Sequence, residues 1–184
     1  MNITGNILIL LCIFLVTFIT TYFMKRYLLS KDVLVIPGMR SSHEKPKPQG
    51  GGLTIILTLT ISLFLLNFYG IINEDKFKFF LFPGLLVAFI GLLDDFVGVK
   101  PLIRLLIHFV SAGLGIYIIG GFPVISFFEN NLDLGILGVF FGLIYVVWMI
   151  NLYNFMDGID GLASLEAIFV FSTFSIISYF VFLD

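Results

Sequence analysis

The sequence predicts an all-α integral membrane protein with about six transmembrane helices, its N-terminus outside and its polar motifs on the cytoplasmic face. The 184 residues are 59% hydrophobic and 12% charged, whereas a soluble domain is usually about 45–50% apolar and about 25% charged. The apolar excess lies in long runs, and most basic residues lie in one loop between two of these runs. We therefore expect residues 1–184 to form a single membrane domain.

Six apolar runs account for the predicted helices. They cover residues 6–24, 52–72, 79–93, 102–120, 134–150 and 162–183, of which the third and the fifth are the shortest. Each run approaches the roughly 17–25 residues that a helix needs to cross a bilayer. The first run is not expected to be a cleaved signal peptide, because its charges follow the apolar residues and none precedes them.

Charge and cysteine content exclude other classes of protein. The formal net charge of −2 gives no sign of nucleic-acid binding. The single cysteine, Cys12, lies inside the first apolar run, which excludes a disulfide framework and a CxxC metal or redox site.

The distribution of basic residues predicts the orientation. Segment 25–50 holds six of the ten basic residues, namely Lys25, Arg26, Lys31, Arg40, Lys45 and Lys47. By the positive-inside rule this segment is cytoplasmic. Alternation along the chain then places residues 73–78 and 121–133 outside and residues 94–101 and 154–161 inside. The outer stretch 121–133 is also predicted to contain a short β-hairpin that turns at Glu129-Asn130-Asn131. Three polar stretches, at 40–52, 92–100 and 151–161, therefore fall on one face of the membrane.

An acid pair ends the third apolar run. Asp94 and Asp95 follow the letters FIGLL, and two adjacent carboxylates raise each other's pKa unless a cation relieves the repulsion. A divalent metal or phosphate-bound Mg²⁺ is the usual source of relief, through hard oxygen ligands. For an isolated pair, a solvated helix end would be the better explanation. The second acidic cluster on the same face favours the functional interpretation.

That second cluster is the stretch NLYNFMDGIDGLA. Its amide and carboxylate side chains recur every three residues, at Asn151, Asn154, Asp157 and Asp160. On a helix this spacing would place them on adjacent parts of one surface. Gly158 and Gly161 are expected to end or loosen the helix there. Helix capping would explain one or two of these polar residues but not all four.

The basic loop RSSHEKPKPQGGG and the fourth helix add cationic candidates. Arg40 and His43 are expected to meet anionic groups, whereas Lys45 and Lys47 are expected to be ordinary cytoplasmic loop residues. The three glycines could present N–H groups to phosphate, although no P-loop pattern is present. Arg104 either reaches the lipid headgroups or faces the site and holds a lipid phosphate. His108, one helical turn further on, is expected to be a packed residue.

Together, RSSHEKPKPQGGG, GLLDDFVGV and NLYNFMDGIDGLA resemble the polyprenyl-phosphate N-acetylhexosamine-1-phosphate transferases, in their bacterial, glycosyltransferase family four-like sugar branch. The three motifs occur in the family's order. The chain departs from the family where it reads PKPQGGG instead of PTPRGGG, and Gly98 stands where the pentapeptide transferases of the superfamily carry lysine. Family members exceed 300 residues and carry later GDxGS and His-rich motifs, so the chain resembles an N-terminal half. Alone, it is expected to insert in the membrane without transferase activity.

The resemblance implies a reaction and a set of residue roles. A polyprenyl phosphate such as undecaprenyl phosphate attacks the β-phosphorus of a UDP-N-acetylhexosamine in the inner cell membrane, which releases UMP and begins the synthesis of surface polysaccharide such as O-antigen. The implied cofactor is Mg²⁺, or Mn²⁺ in its place, and a homodimer is a possible assembly. The implied catalytic residues are Asp94 and Asp95, and the implied metal ligands are Asp95 and Asn154. The substrate-binding candidates are Asn151, Asp157, Asp160, Arg40, His43 and Arg104.

Three alternatives remain open from the sequence. The chain could be an inactive truncated or split half of such an enzyme. A transporter or structural membrane protein could use the acids along a pathway, but transporter sites usually lie near the bilayer midplane and these acids lie at helix ends. A CDP-alcohol phosphotransferase would need the pattern DGxxAR, and no arginine follows Ala163.

Overall fold

The computed structural model describes residues 3–35, 47–48, 50–127 and 130–182. Within these ranges the helices are α1 (Ile3–Ser30), α2 (Gly52–Phe68), α3 (Glu74–Val97), α4 (Pro101–Ile118), α5 (Gly135–Met156) and α6 (Leu162–Phe182). The short strands are β1 (Leu34–Val35), β2 (Lys47–Pro48), β3 (Ile125–Phe127) and β4 (Asn130–Leu132). The predicted all-α membrane class is confirmed.

Helix length and composition support a multi-pass membrane protein. Of the helices in the described ranges, five are long and apolar enough to cross a membrane, and α2, with 17 residues, is a shorter apolar helix. The third and fifth apolar runs are the shortest of the six, but the helices that contain them are longer, since α3 has 24 residues and α5 has 22. Both helices continue beyond their apolar runs into polar residues. At the start of α3, for example, the Asn73 side chain caps the helix by accepting a hydrogen bond from Lys76 N at 3.0 Å.

The chain divides into two compact units. The first comprises residues up to 35 together with residues 48–147, and the second comprises residues 36–47 and 148–184, of which only the ranges given above are described. Helices α1 to α4 and the first half of α5 therefore belong to the first unit. The second unit contains the end of α5 and all of α6. The single domain predicted over residues 1–184 stays a prediction.

Hydroxyl groups join α1 to α2. Thr21 Oγ1 and Thr54 Oγ1 are 3.0 Å apart, and Thr17 Oγ1 donates to Thr58 Oγ1 at 3.2 Å. The residue numbers rise along α1 as they fall along α2, so the two helices are antiparallel. Such bonds contribute to helix association in lipid, where apolar burial provides no driving force between helices.

Helix α4 packs on α3 through small and buried side chains. The buried positions follow a helical period at His108, Ser111, Ala112 and Gly115. Ser111 Oγ donates to the Pro83 carbonyl of α3 at 2.9 Å. A Cβ atom at Gly115 would lie 3.7 Å from the Pro83 ring, so the two helices approach closely at this level. The prediction that His108 is a packed residue is confirmed, since it is only 3% exposed.

The connection between α4 and α5 contains the predicted hairpin. Strands β3 and β4 pair antiparallel, with Ile125 opposite Leu132 and Phe127 opposite Asn130. The hairpin is confirmed, but the predicted position of its turn is wrong, because Asn130 and Asn131 already belong to β4. Asn131 Oδ1 accepts a hydrogen bond from Ser126 Oγ at 2.9 Å, which explains why this asparagine is a cross-strand partner. Residues 128 and 129, between the strands, lie outside the described residues.

Two glycines of α5 accommodate an aromatic ring from the preceding loop. A Cβ atom at Gly138 would lie 2.6 Å from Phe122 Cδ1, and one at Gly142 would lie 2.9 Å from Phe122 Cδ2. Both glycines are buried. The four-residue spacing puts them on one face of α5, so the ring packs directly on the helix backbone.

Candidate functional site

The acid pair lies at the end of α3, beside a tight connection to α4. Helix α3 ends because Gly98 adopts the left-handed conformation, with φ of 71°, and its N–H group donates to the Asp94 carbonyl at 3.0 Å. Helix α4 begins at Pro101, a residue well suited to the first turn of a helix. Only three residues separate the helices, so the first turn of α4 lies next to the last turn of α3.

Asp94 uses both carboxylate oxygens to bind this connection. Its Oδ1 accepts a hydrogen bond from the Val99 N–H group at 2.9 Å. Its Oδ2 accepts one from Arg104 Nη1 at 2.5 Å, which is also an ion pair. The two side chains are about one quarter exposed, at 27% for Asp94 and 26% for Arg104. A cation within the chain therefore relieves the repulsion that the sequence predicts for the acid pair.

Asp95 differs from Asp94 in its direction on the helix and in its exposure. Successive residues of a helix point about 100° apart, and the Asp95 residue is exposed where Asp94 is partly buried. The two acids thus present different faces at the end of α3. The structure orients Arg104 towards Asp94, and its predicted role in substrate binding stays a prediction.

The end of the basic loop reaches the acid motif. Gly50, immediately before α2, has φ of +84°, and a Cβ atom there would lie 3.3 Å from Phe96 Cζ. Phe96 directly follows the acid pair in α3. Two of the three sequence motifs therefore meet within the first unit. Arg40 and His43, earlier in the basic loop, lie outside the described residues.

The third motif forms the connection between α5 and α6. Asn151 and Asn154 lie in the last turns of α5, which ends at Met156. Asp157 and Asp160 follow that helix end, so the predicted single helical face holds only for the two asparagines. Gly158 and Gly161 lie within this connection, and Gly161 adopts φ of +77° directly before α6 begins.

Exposure differs among the four polar residues of this motif. Asn154, Asp157 and Asp160 are exposed, and Asn151 is half-buried. Asn151 lines an open groove of about 220 Å³ together with Trp148, Leu152 and Phe155. The groove is mainly apolar and aromatic and has one amide, which is a common combination at sites for small molecules.

A family comparison covers the acid motif and this connection together. The family described as Glycosyl transferase family 4 matches residues 77–182, which is more than half of the chain. The chain belongs to this family. Family-4 membership confirms the resemblance and indicates a membrane-bound sugar-phosphate transferase. The match spans nearly all of α3 and the whole of α4, α5 and α6, whereas the basic loop precedes it. Comparisons with curated proteins and with solved structures found no match.

Sequence reasoning did not find two contacts of this family-4 transferase. One is the ion pair of Asp94 with Arg104, and the other is the approach of Gly50 to Phe96. The ion pair could have been predicted from the sequence, because a glycine cap at Gly98 followed closely by a proline indicates a short connection between antiparallel helices. No sequence pattern predicts the approach of Gly50 to Phe96, since these residues are 46 positions apart and meet through the packing of α2 on α3.

Proposed function

We propose that this membrane protein transfers an N-acetylhexosamine-type sugar-1-phosphate from a UDP-sugar to a polyprenyl phosphate such as undecaprenyl phosphate, releasing UMP. The observation that carries the proposal is the family-4 match over a region that contains the acid pair at the end of a membrane-length helix. Such a site suits a reaction between a soluble nucleotide sugar and a lipid phosphate. The product would begin the synthesis of a cell-surface polysaccharide, such as O-antigen of lipopolysaccharide, at the inner cell membrane.

The reaction joins two phosphates, so it depends more on neutralising and aligning their charges than on covalent catalysis by the protein. An oxygen of the lipid phosphate attacks the β-phosphorus of the UDP-sugar, a new P–O bond forms, and the bond to the bridging oxygen breaks so that UMP leaves. Positioning and electrostatic stabilisation supply most of the catalysis in such transfers. Asp95, exposed at the end of α3, would orient or deprotonate the lipid phosphate, and Arg104 would contribute positive charge beside it.

The oxygen donors at these positions suit magnesium or manganese. Asp95 offers a carboxylate and Asn154 an amide oxygen, which are ligands for hard cations. Among the described residues, no three His, Cys, Asp or Glu side chains group together in a way that would hold a metal. We propose that the ion is shared with substrate phosphates, the usual arrangement for Mg²⁺ with one or two carboxylates. When bound, the ion would neutralise charge on the diphosphate.

The connection between α5 and α6 would serve the nucleotide sugar. Asp157 and Asp160 are exposed carboxylates that can accept hydrogen bonds from ribose or sugar hydroxyl groups. Asn151 offers both a donor and an acceptor in the groove beside Trp148. In the basic loop, Arg40 and His43 would meet phosphate.

A transfer assay on the full natural chain in membranes tests the proposal. Undecaprenyl phosphate and radiolabelled UDP-N-acetylglucosamine, with its galacto and deoxy relatives, should give UMP and a lipid-linked sugar phosphate in the presence of Mg²⁺. Asp95→Asn should lower turnover by at least about 10²-fold, the scale for losing one positioned catalytic group. Asp75→Asn, which alters an acid in the first turn of the same helix, is the matched control and should retain activity. The absence of UMP release with every donor, or equal effects of the two substitutions, would overturn the proposal.

A further inference from the structure

Asp94 is partly buried and bonded to the connection between α3 and α4, whereas Asp95 is exposed. We infer that Asp94 is a positioning residue that anchors this connection and orients Arg104, while Asp95 is the acid that meets the substrate. The division of roles rests on the proposed transfer reaction. The anchoring by Asp94 is a property of the fold and can be tested separately.

Asp94 holds the connection through both its main chain and its side chain. Its carbonyl accepts from Gly98 N at 3.0 Å, and its Oδ1 accepts from Val99 N at 2.9 Å. Two consecutive N–H groups that follow the helix end are therefore satisfied by one residue. The second oxygen then binds Arg104 in the first turn of α4, so the same carboxylate joins the end of one helix to the start of the next.

The helical period separates the two acids. Pro83 and Asp94 are eleven residues apart, which is about three full turns, so they lie on the same side of α3. Both residues contact α4, Pro83 through Ser111 and Asp94 through Arg104. Asp94 thus belongs to the side of α3 that packs on α4, and Asp95 lies about 100° away from it.

Participation of Asp94 in the chemistry would disrupt this arrangement. A carboxylate that takes a proton or moves to a metal must weaken its bonds to Arg104 or Val99. The pair is about three-quarters buried, and removing one member of such a pair leaves the other charge poorly compensated. Asp95 is exposed and is therefore the more accessible of the two acids to a substrate.

Because Asp94 orients Arg104, it would affect the reaction as well as the fold. A guanidinium group has five N–H donors, and the bond to Asp94 uses one of its nitrogens. The remaining donors can bind a phosphate oxygen while Asp94 fixes the plane of the group. Loss of Asp94 should therefore weaken binding of the phosphate substrate, whereas loss of Asp95 should slow the chemical step.

Hydrogen exchange on the full chain in lipid nanodiscs tests the anchor. Asp94→Ala should speed exchange of the Val99 amide by about 10-fold or more, the scale of one lost hydrogen bond to a charged group. Asp94→Asn keeps an acceptor oxygen and should have a smaller effect. Asp95→Asn, the neighbouring control, should leave this amide unchanged. Unchanged exchange in Asp94→Ala would refute the anchoring.

Steady-state kinetics of the same variants test the division of roles. Asp94→Asn should raise KM for the lipid phosphate or the UDP-sugar by about 10-fold with a smaller change in kcat, and Asp95→Asn should lower kcat by about 10²-fold. A purely structural role would lower the active fraction and leave KM unchanged. Because Asp94 acts through Arg104, adding Asp94→Asn to Arg104→Gln should cost little more than Arg104→Gln alone.

The kinetic results distinguish a failure of the division of roles between Asp94 and Asp95 from a failure of the proposed transferase function. Additive losses for Asp94→Asn and Arg104→Gln, or a fall in kcat for Asp94→Asn as large as that for Asp95→Asn, would refute the division of roles while the transferase function stands. Absence of UMP release by the unsubstituted chain would refute the proposed function and with it the role of Asp95. The exchange measurement would then still decide whether Asp94 anchors the connection.

Discussion

Replacing Gly138 by alanine should destabilise the protein, because the new methyl group would collide with the Phe122 ring. The added Cβ would lie 2.6 Å from Cδ1 and 2.8 Å from Cγ of Phe122, and 2.9 Å from Leu134 Cβ. Carbon atoms pack best at about 3.5–4.0 Å, so the ring would have to move by about 1 Å. Rotation of the ring alone gives no relief, since Cγ and Leu134 Cβ are both close to the backbone.

The cost can be isolated with a matched glycine. Gly→Ala within a helix stabilises it by about 0.5–1 kcal/mol, and this gain applies equally to Gly113→Ala in α4. At Gly113 the new Cβ would lie 3.8 Å from Leu143 Cδ2, which is an ordinary contact. The difference between the two variants is therefore the overpacking cost alone, about 1–3 kcal/mol in favour of Gly113→Ala.

Unfolding in mixed micelles by increasing SDS, followed by helical circular dichroism, measures this difference. Phe122→Leu removes the ring and should rescue part of the loss, so the double variant Gly138→Ala/Phe122→Leu should lose less than the sum of its single changes. Equal stability of Gly138→Ala and Gly113→Ala would refute the proposed packing of the ring on α5. Strict additivity in the double variant would refute it as well.

Three further predictions concern the basic loop, the helix contacts and the orientation. Gly50→Ala should lose about 1–2 kcal/mol in the same unfolding assay, because φ is +84° there. Gly51→Ala, with φ of −58° and open space around it, should change little, and equal losses would contradict the left-handed conformation at Gly50. Thr54→Val removes one of the two hydroxyl bonds between α1 and α2 and should cost about 0.6–1.7 kcal/mol. Thr20→Val, whose hydroxyl bonds carbonyl groups of its own helix, should be neutral, and the reverse order would refute the interhelical role. A cysteine replacing Lys100 should react with an impermeant thiol reagent only from the cytoplasmic side, and labelling from outside intact cells would reverse the orientation.

The helices could be predicted from the sequence because lipid imposes long apolar runs. Their ends could not, since a helix continues through polar residues as long as its terminal groups find partners. The apolar run of α3 begins at residue 79, but the helix begins at Glu74, after the Asn73 cap. The hairpin between α4 and α5 was predictable from its strand residues. The position of its turn was not, because Asn131 bonds across the strands instead of turning the chain.

The sequence predicted which helix ends carry the candidate residues, and it did not predict the contacts that these residues make. The motif at residues 151–161 was expected to interrupt a helix, and the structure confirms that α5 ends within it, at Met156. The distribution of its polar residues between helix and connection depends on where that end falls. Likewise the contact of Gly50 with Phe96 depends on the packing of two helices, which local sequence patterns do not specify.

The acid pair shows most clearly why residue type alone does not assign a role. In the sequence, Asp94 and Asp95 are equivalent neighbours, and each is a candidate base or metal ligand. An anchor must be partly buried so that its bonds resist competition from water, whereas an acid that meets a soluble substrate must be accessible. One side chain cannot satisfy both requirements at once. Two adjacent acids at a helix end can, because the helical period turns one towards the packed neighbour and the other away from it.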